Sequence, residues 1–195
     1  MNDSQLREGV RRAYSAVSES PQARHPFPNG RLFAESLGYP AGLLNELPAE
    51  AVEAFAGVSN VSLFATIPAG ATVLDVGCGA GLDSLIAARR TGPDGRVIGL
   101  DFSQAMVERA RHAAQTACIR NVEFRQADAE QMPIDDAAID VALVNGIFNL
   151  NPARQAIFHE LARVVKPGGA VYAAEIILRE PLPPDEQADV TNWFA

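Results

Sequence analysis

Three glycines at alternate positions, Gly77, Gly79 and Gly81, follow an apolar run and precede a stretch with helical periodicity. Glycine at a strand-to-helix turn lets the backbone approach a ligand closely, and the first N–H groups of the helix favour a nucleotide-like group. Asp75 adds a carboxylate just before the first glycine. The pattern predicts a cofactor site with Asp75, Gly77 and Gly79. A plain tight turn is one alternative, and the dinucleotide fingerprint GxGxxG is another, although that pattern needs glycine or alanine where Leu82 stands.

A second carboxylate, Asp101, ends the next β-type run, twenty positions after Gly81. A strand-end acid at about this spacing can accept hydrogen bonds from ribose hydroxyls. Asp101 is therefore a candidate ribose ligand, and it would also suit an N-cap of the helix that begins near Ser103. The aromatic ring of Phe102 can cover one face of an adenine, or it can pack in the core.

Two further strand ends carry polar groups. Asp128 can accept a hydrogen bond from an exocyclic amine, and the backbone amide of Ala129 can donate to a ring nitrogen, which together would recognise adenine. A solvated turn is the alternative for this segment. Asn145 ends the following run and can reach a cofactor with its side-chain amide or its backbone carbonyl.

Alternating β-type and helical stretches position these strand ends. Because strands alternate with helices, we predict an α/β fold with a Rossmann-like, doubly wound and mostly parallel sheet. Ligands in such sheets bind beyond the carboxyl ends of the strands, where the strand order reverses. The predicted strands are 71–76, 96–100, 121–126, 139–145 and 170–178, and the predicted helices are 82–90, 103–116 and 152–165.

The first sixty residues differ from the rest, because they carry scattered prolines and glycines and short helix-like pieces. We predict helices at 5–17, 30–37 and 48–55, with a proline-rich linker at 21–29 between the first two. The sequence thus divides into an N-terminal helical cap, residues 1–60, and a cofactor-binding domain, residues 61–195.

Composition excludes several classes of function. The 195 residues are 48% hydrophobic and 21% charged, as in an ordinary globular domain, and no run is long enough to span a membrane. The formal net charge is -8 and the only lysine is Lys166, so nucleic acid is not an expected partner. Cys78 and Cys118 lie far apart without zinc-ligand spacing, so no metal is expected. We expect a cytoplasmic protein with no membrane partner.

These motifs together resemble those of class I S-adenosylmethionine-dependent methyltransferases. DVGCGAG at 75–81 resembles their first motif, LD at 100–101 their ribose acid, and ADAEQMP at 127–133 their adenine segment. The segments 139–145 and 161–169 are similar to their fourth strand and the lead-in to their fifth. The resemblance implies S-adenosyl-L-methionine as cofactor, S-adenosyl-L-homocysteine as product and a small-molecule acceptor.

A narrower resemblance, to the arsenite methyltransferase group, comes from Gly38-Tyr39-Pro40 and Leu47-Pro48 before the glycines and from Asn149-Leu150 after them. That group holds arsenic through several cysteine thiolates, whereas this chain has Val58 and Ser59 in the corresponding early segment and no cysteine before Cys78. Arsenite is therefore not the expected acceptor.

Catalytic side chains are not identified by the sequence. Methyl transfer from a sulfonium depends mainly on placing the two reacting atoms, so a general base is not required. His25 is the best-placed histidine for such a role, and Tyr14 resembles the tyrosine that the family folds over its cofactor. A cofactor-binding but catalytically silent or partner-dependent chain is the alternative function, and a dinucleotide oxidoreductase is the third.

The fifth predicted strand is strongly apolar, and only five of the seven strands of the family's fold are predicted from this sequence, with the last two lacking. Because an unpaired apolar edge invites pairing with another chain, we expect either a homodimer through this edge or a longer protein of which this chain is the front part.

Overall fold

Five parallel strands form the sheet of the computed structural model, which describes residues 3–177 and Glu180. The strands are β1 (Thr72–Val76), β2 (Arg96–Asp101), β3 (Val122–Gln126), β4 (Ile139–Asn145) and β5 (Val165–Ala174). Their order across the sheet is β3-β2-β1-β4-β5. The chain moves outward from β1 in one direction and then returns to build β4 and β5 on the other side, so the strand order reverses between β1 and β4. The predicted doubly wound parallel fold is confirmed.

Eight helices accompany these strands in the part of the chain that the structure describes. Five precede the sheet: α1 (Asp3–Glu19), α2 (Arg31–Ser36), α3 (Ala41–Asn45), α4 (Ala49–Glu53) and α5 (Val61–Phe64). Three lie between strands: α6 (Leu82–Thr91), α7 (Gln104–Thr116) and α8 (Arg154–Val164). Two of the five, α3 and α5, were missed from the sequence because helices of four or five residues carry too few turns to show a period.

The central strands are buried on both faces, which is why their sequences are almost continuously apolar. In β1, all residues from 73 to 76 are buried, including Asp75. Helices α6 and α7 cover one face with Leu85 and Val107, and α8 covers the other with Ile157 and Leu161. The core thus fills both sides of the sheet and leaves the carboxyl ends of its strands for a site.

The N-terminal helices share the core of the sheet domain. Tyr39, Leu44 and Phe55 pack in one cluster with Leu82 and Leu85 of α6. Helix α1 lies against α7, and α4 contacts α7 as well. The segment before β1 therefore covers the carboxyl end of the sheet, and its division at residue 60 into a separate cap stays a prediction.

Strand β5 begins earlier than the sequence indicated, at Val165 instead of residue 170. Val165 pairs with Ile139, and Ala170 pairs with Val141, so residues 166–169 form an irregularity opposite a single residue of β4. Gly168, at φ 84°, allows this bulge. The strand ends at Ala174, and the predicted end at residue 178 lies outside the described residues.

Within residues 3–177 and Glu180, β5 is an edge strand and Val171 on it is exposed. Pairing of two chains through this edge stays a prediction. No helix in these residues has both the length and the apolar character needed to span a membrane.

Candidate functional site

A cleft opens at the carboxyl ends of the strands, between the sheet and the N-terminal helices. The cleft is lined by all eight residues proposed from the sequence as cofactor ligands: Asp75, Gly77, Gly79, Asp101, Phe102, Asp128, Ala129 and Asn145. Sequence positions up to seventy residues apart therefore converge on one cavity.

The glycine turn after β1 presents open backbone to the cleft at Gly79. Gly79 has φ 51°, and a Cβ atom built on it would meet no other atom within 4 Å. At Gly77, by contrast, a Cβ would lie 2.3 Å from Ile147 Cγ2, so this glycine is required for close packing against the β4 end. The turn thus combines one position that is sealed by protein with one that is open to a ligand.

Asp101, at the end of β2, is 7% exposed and ties the glycine turn to the start of α7. Its Oδ2 accepts from the Gly79 N–H at 2.9 Å, and its Oδ1 accepts from the Ser103 N–H at 2.8 Å. The N-cap of α7 is Ser103, whose hydroxyl accepts from the Met106 N–H, so Asp101 does not serve as the cap. Burial raises the pKa of Asp101 to about 6, although the Ser103 and Gly79 amides oppose this shift.

Asp75 lies deeper, at 2% exposure, and accepts a hydrogen bond from the Ser84 hydroxyl. Burial raises the pKa of Asp75, and the neighbouring Asp83 carboxylate raises it further. Asp83 itself is in the first turn of α6 and lines the cleft. Three carboxyl groups, those of Asp75, Asp83 and Asp101, therefore lie beside the glycine turn. Because the raised pKa of Asp75 keeps much of this group protonated near neutral pH, the negative charge that a positively charged ligand would meet there comes mainly from the other two.

The predicted adenine segment lies beneath α1. The guanidinium of Arg7 is 3.2 Å from Asp128 Oδ1 and 2.8 Å from Glu130 Oε1. Arg11, one turn along the same helix, places its guanidinium carbon 5.8 Å from the centroid of the Phe102 ring. Arg7 and Glu130 line the cleft and were missed from the sequence, since nothing in the local pattern of α1 indicates a partner more than a hundred residues away.

The side chain of Asn145, a predicted cofactor ligand, is occupied by hydrogen bonds within the protein. Its Oδ1 accepts from the N–H groups of Val58 and Ser59, at 2.9 and 3.1 Å. Its Nδ2 donates to Ser59 O at 2.7 Å and to Asp83 Oδ2 at 2.8 Å. Because the side-chain amide already makes four hydrogen bonds within the protein, only the backbone carbonyl of Asn145 remains as a candidate cofactor contact.

Tyr14 and His25, which the sequence singled out as a cofactor-covering tyrosine and as the best-placed histidine, lie in different places. Tyr14 lines the cleft and stacks on Phe27 with ring centroids 4.5 Å apart. Burial, together with the charges of Asp101 and Glu175, raises the pKa of Tyr14, so its phenol stays protonated near neutral pH. His25 lies outside the cleft lining, and its Nε2 is 2.9 Å from the Ser20 carbonyl oxygen. The hypothesis that His25 closes over the site as a base has no support in this geometry.

The two cysteines of the chain do not meet. Cys78 is buried beside the glycine turn, and burial raises the pKa of its thiol well above the usual range. Cys118 is exposed and lines a separate surface groove. No pair of thiolates within these 195 residues can therefore converge on one trivalent atom.

Comparison with known proteins agrees with this architecture. Residues 67–195 match the family described as "Methyltransferase domain". The chain is 37% identical over 156 residues to an arsenite methyltransferase of Halobacterium salinarum, covering 80% of the chain and 40% of that protein. It is 35% identical over 106 residues to a demethylmenaquinone methyltransferase of Lactococcus lactis, covering 54% of the chain and 42% of that protein. The chain thus spans about two fifths of the length of these curated relatives.

Solved structures give the same result. An arsenic(III) S-adenosylmethionine methyltransferase from Chlamydomonas reinhardtii superposes with a TM-score of 0.62 at 26% identity, over 83% of this chain and 54% of that one. A SAM-dependent methyltransferase from Aquifex aeolicus shares the fold, with a TM-score of 0.57 at 23% identity over 81% of this chain and 80% of that one. The chain therefore belongs to the class I S-adenosylmethionine-dependent methyltransferases and is similar to the arsenite methyltransferases among them.

Proposed function

We propose that this chain binds S-adenosyl-L-methionine in the cleft and transfers its methyl group to a small-molecule acceptor. The observation that carries the proposal is the convergence of the glycine turn, the β2 carboxylate and the β3 segment on one cavity where the strand order reverses. Family membership supports the same reaction. The acceptor is not given by the relatives, because arsenite and demethylmenaquinone differ completely in chemistry.

The residues present fit an adenosine-containing, positively charged cofactor. Gly79 offers open backbone where a side chain would fill the cleft. Asp101 uses one lone pair of each carboxylate oxygen for Gly79 and Ser103, so each oxygen retains a second lone pair for a ribose hydroxyl. Asp128 and the Ala129 amide are the candidate adenine contacts, and Phe102 the candidate stacking partner.

When bound, S-adenosylmethionine supplies a methyl group on a sulfonium, which a nucleophile can displace with a neutral thioether as leaving group. The chain then has to hold both reactants and exclude water, which can contribute several kcal/mol through proximity alone. Helix α1 covers the cleft with Arg7, Val10 and Tyr14. Ile147 seals the turn at Gly77 from the side of β4.

The described lining of the cleft contains neither histidine nor lysine. Asp75 and Asp83 are hydrogen-bonded within the protein, and Asp128 and Glu130 are paired with Arg7. The remaining lone pairs of Asp101 are assigned to the ribose, and Tyr14 stays protonated. We therefore propose an acceptor that reaches the site already nucleophilic, such as a thiolate or an acidic phenol. Arsenite is not proposed, since Cys78 and Cys118 do not converge.

Calorimetry with S-adenosylhomocysteine, NAD and NADP tests the cofactor directly. We expect heat of binding with S-adenosylhomocysteine alone. Binding of NAD or NADP with no response to S-adenosylhomocysteine would contradict the proposal and favour an oxidoreductase.

Turnover with labelled S-adenosylmethionine then separates a catalyst from a silent chain. A panel of dithiothreitol, catechol and arsenite covers thiol, phenol and oxyanion acceptors. Methylation of the first or second supports the proposed acceptor class, and methylation of arsenite alone contradicts it. Binding without turnover of any of the three favours the silent or partner-dependent alternative.

A further inference from the structure

We propose that Asn145 and Asp83 are positioning residues that hold residues 57–59 as the acceptor-facing wall of the cleft. The hydrogen bonds that hold residues 57–59 are observed in the structure and do not depend on the proposed function. Only the statement that the wall faces an acceptor rests on the proposed function.

Three of the four hydrogen bonds of the Asn145 side chain hold one short segment of backbone, residues 58 and 59. Two bring in the amides of Val58 and Ser59, and one returns to the Ser59 carbonyl. The fourth goes to Asp83, which also accepts from the Tyr39 hydroxyl at 2.6 Å and from the Ser62 N–H at 3.3 Å. Residues on both sides of the segment, at positions 39 and 62, are therefore tied to the same carboxylate.

Close packing shows that the segment has no freedom to shift toward β4. A Cβ atom on Gly57 would lie 2.5 Å from Asn145 Nδ2. A Cβ atom on Gly146 would lie 2.9 Å from Val58 Cγ1. The two glycines allow the segment and the β4 end to approach until the hydrogen bonds can form.

The sheet order indicates which part of the cleft this wall borders. The candidate adenosine contacts end β2 and β3, on one side of β1, whereas Asn145 ends β4 on the other side. Gly57 lines the cleft there together with Ala56 and Ile147. The wall therefore lies across the glycine turn from the ribose and adenine contacts, where the acceptor has to approach.

Swapping the carboxamide of Asn145 with the carboxylate of Asp83 by mutation tests whether these two side chains act as a pair. In Asn145→Asp at pH 8, two carboxylates would face each other and the donor to Ser59 would be lost. We expect amide hydrogen exchange at Val58 and Ser59, measured without cofactor, to accelerate at least about tenfold. In the double variant Asn145→Asp/Asp83→Asn, the new amide at 83 can donate to the new carboxylate, so protection should return to within about threefold of wild type. Two outcomes would overturn the proposal. One is a single variant whose amides exchange as slowly as in the wild type, and the other is a double variant whose amides exchange as fast as in the single variant.

A second variant, at Gly57, disturbs the contact between residues 57–59 and the Asn145 amide without changing Asn145. Gly57→Ala should also accelerate exchange at residues 58 and 59, because its methyl group displaces the Asn145 amide. The matched control is Gly42→Ala, where a Cβ atom would meet nothing within 4 Å. Equal exchange in these two variants would contradict the packing argument.

Exchange with and without S-adenosylhomocysteine separates the two proposals. We expect the ligand to slow exchange at residues 77–81 and 101–103 more than at 57–59. Stronger slowing at 57–59 would overturn the acceptor-facing assignment. If the ligand slowed exchange at none of these residues, the proposed cofactor would be contradicted. Exchange measured without cofactor in Asn145→Asp and in Asn145→Asp/Asp83→Asn would still decide the role of Asn145 and Asp83.

Discussion

The two walls of the cleft differ in how far apart in the sequence their contacting residues lie. On the glycine-turn side, Ser84 contacts Asp75 across 9 positions and Gly79 contacts Asp101 across 22. On the opposite side, Asn145 contacts Val58 across 87 positions and Ser59 across 86. The first wall is therefore contained in one strand-helix-strand unit, whereas the second forms only when the N-terminal segment returns to the end of β4.

This difference has a physical consequence for the two walls. The glycine turn is fixed by local backbone conformation and by a buried carboxylate, so single substitutions there should act strongly on ligand binding. The opposite wall and helix α1 depend on long-range contacts, several of them partly exposed, which contribute less each. The four predictions below test that contrast, from the largest expected effect to the smallest.

Gly79→Val should abolish measurable binding of S-adenosylhomocysteine. The side chain would extend into the cleft, and a β-branched residue is strained at φ 51°. The matched control is Gly70→Val, at φ 77° and also with nothing within 4 Å of its Cβ, but outside the cleft lining. Calorimetry should show binding in the control and none in Gly79→Val. Equal affinities in the two variants would mean that the turn is structural only.

The contrast also explains what the sequence could reveal. The glycine turn, Asp101 and the five strands were predictable, because each depends on residue types in a short window. The Arg7 ion pairs, the Asn145 hydrogen bonds and the early start of β5 at Val165 were not, because each depends on a partner brought near by the fold. At Asn145 the sequence predicts a polar strand end that can reach a cofactor, but it cannot show that the side-chain amide is already occupied by hydrogen bonds within the protein.

Asp101→Ala should weaken S-adenosylhomocysteine binding by about tenfold to a hundredfold, that is, by about 1.4–2.8 kcal/mol. The loss has two parts, since the variant removes the candidate ribose acceptor and also releases the Gly79 and Ser103 amides. Calorimetry measures the affinity, and urea unfolding shows how much of the change is structural. Affinity within twofold of wild type would contradict the ribose assignment.

The pH dependence of binding should follow the same carboxyl group. Burial raises the pKa of Asp101 from 3.8 to about 6, so the carboxyl takes up a proton as the pH falls through that value. If ribose hydroxyls donate to the ionised form, affinity should fall by up to about tenfold per pH unit below pH 6. Stability has the opposite sign: the folded state binds more protons than the unfolded state between these pKa values, so the contribution of Asp101 to stability decreases as the pH rises from about 4 to 6.

Asp101→Asn separates this group from its neighbours Asp75 and Tyr14, which also lie beside the turn. We expect a flatter affinity profile between pH 5 and 7 than in the wild type. The same slope in both proteins would assign the titration to another group.

Arg7→Gln should produce the smallest change, because it affects the long-range cover of the cleft and not the turn. The guanidinium pairs with Asp128 and Glu130. The side chains of Arg7 and Asp128 are 38% and 52% exposed, so solvent screens that pair, whereas the Glu130 side chain is 13% exposed and its pair with Arg7 is screened less. We expect S-adenosylhomocysteine to dissociate about two- to fivefold faster at low salt, since α1 is held less firmly over the cleft, and the difference to shrink in about 0.5 M salt. Stopped-flow displacement measures this rate, with Arg12→Gln, exposed on the same helix, as the matched control. An equal effect in the control, or an effect that salt leaves unchanged, would show that net charge or helix stability, and not the Arg7 ion pairs, holds α1 in place.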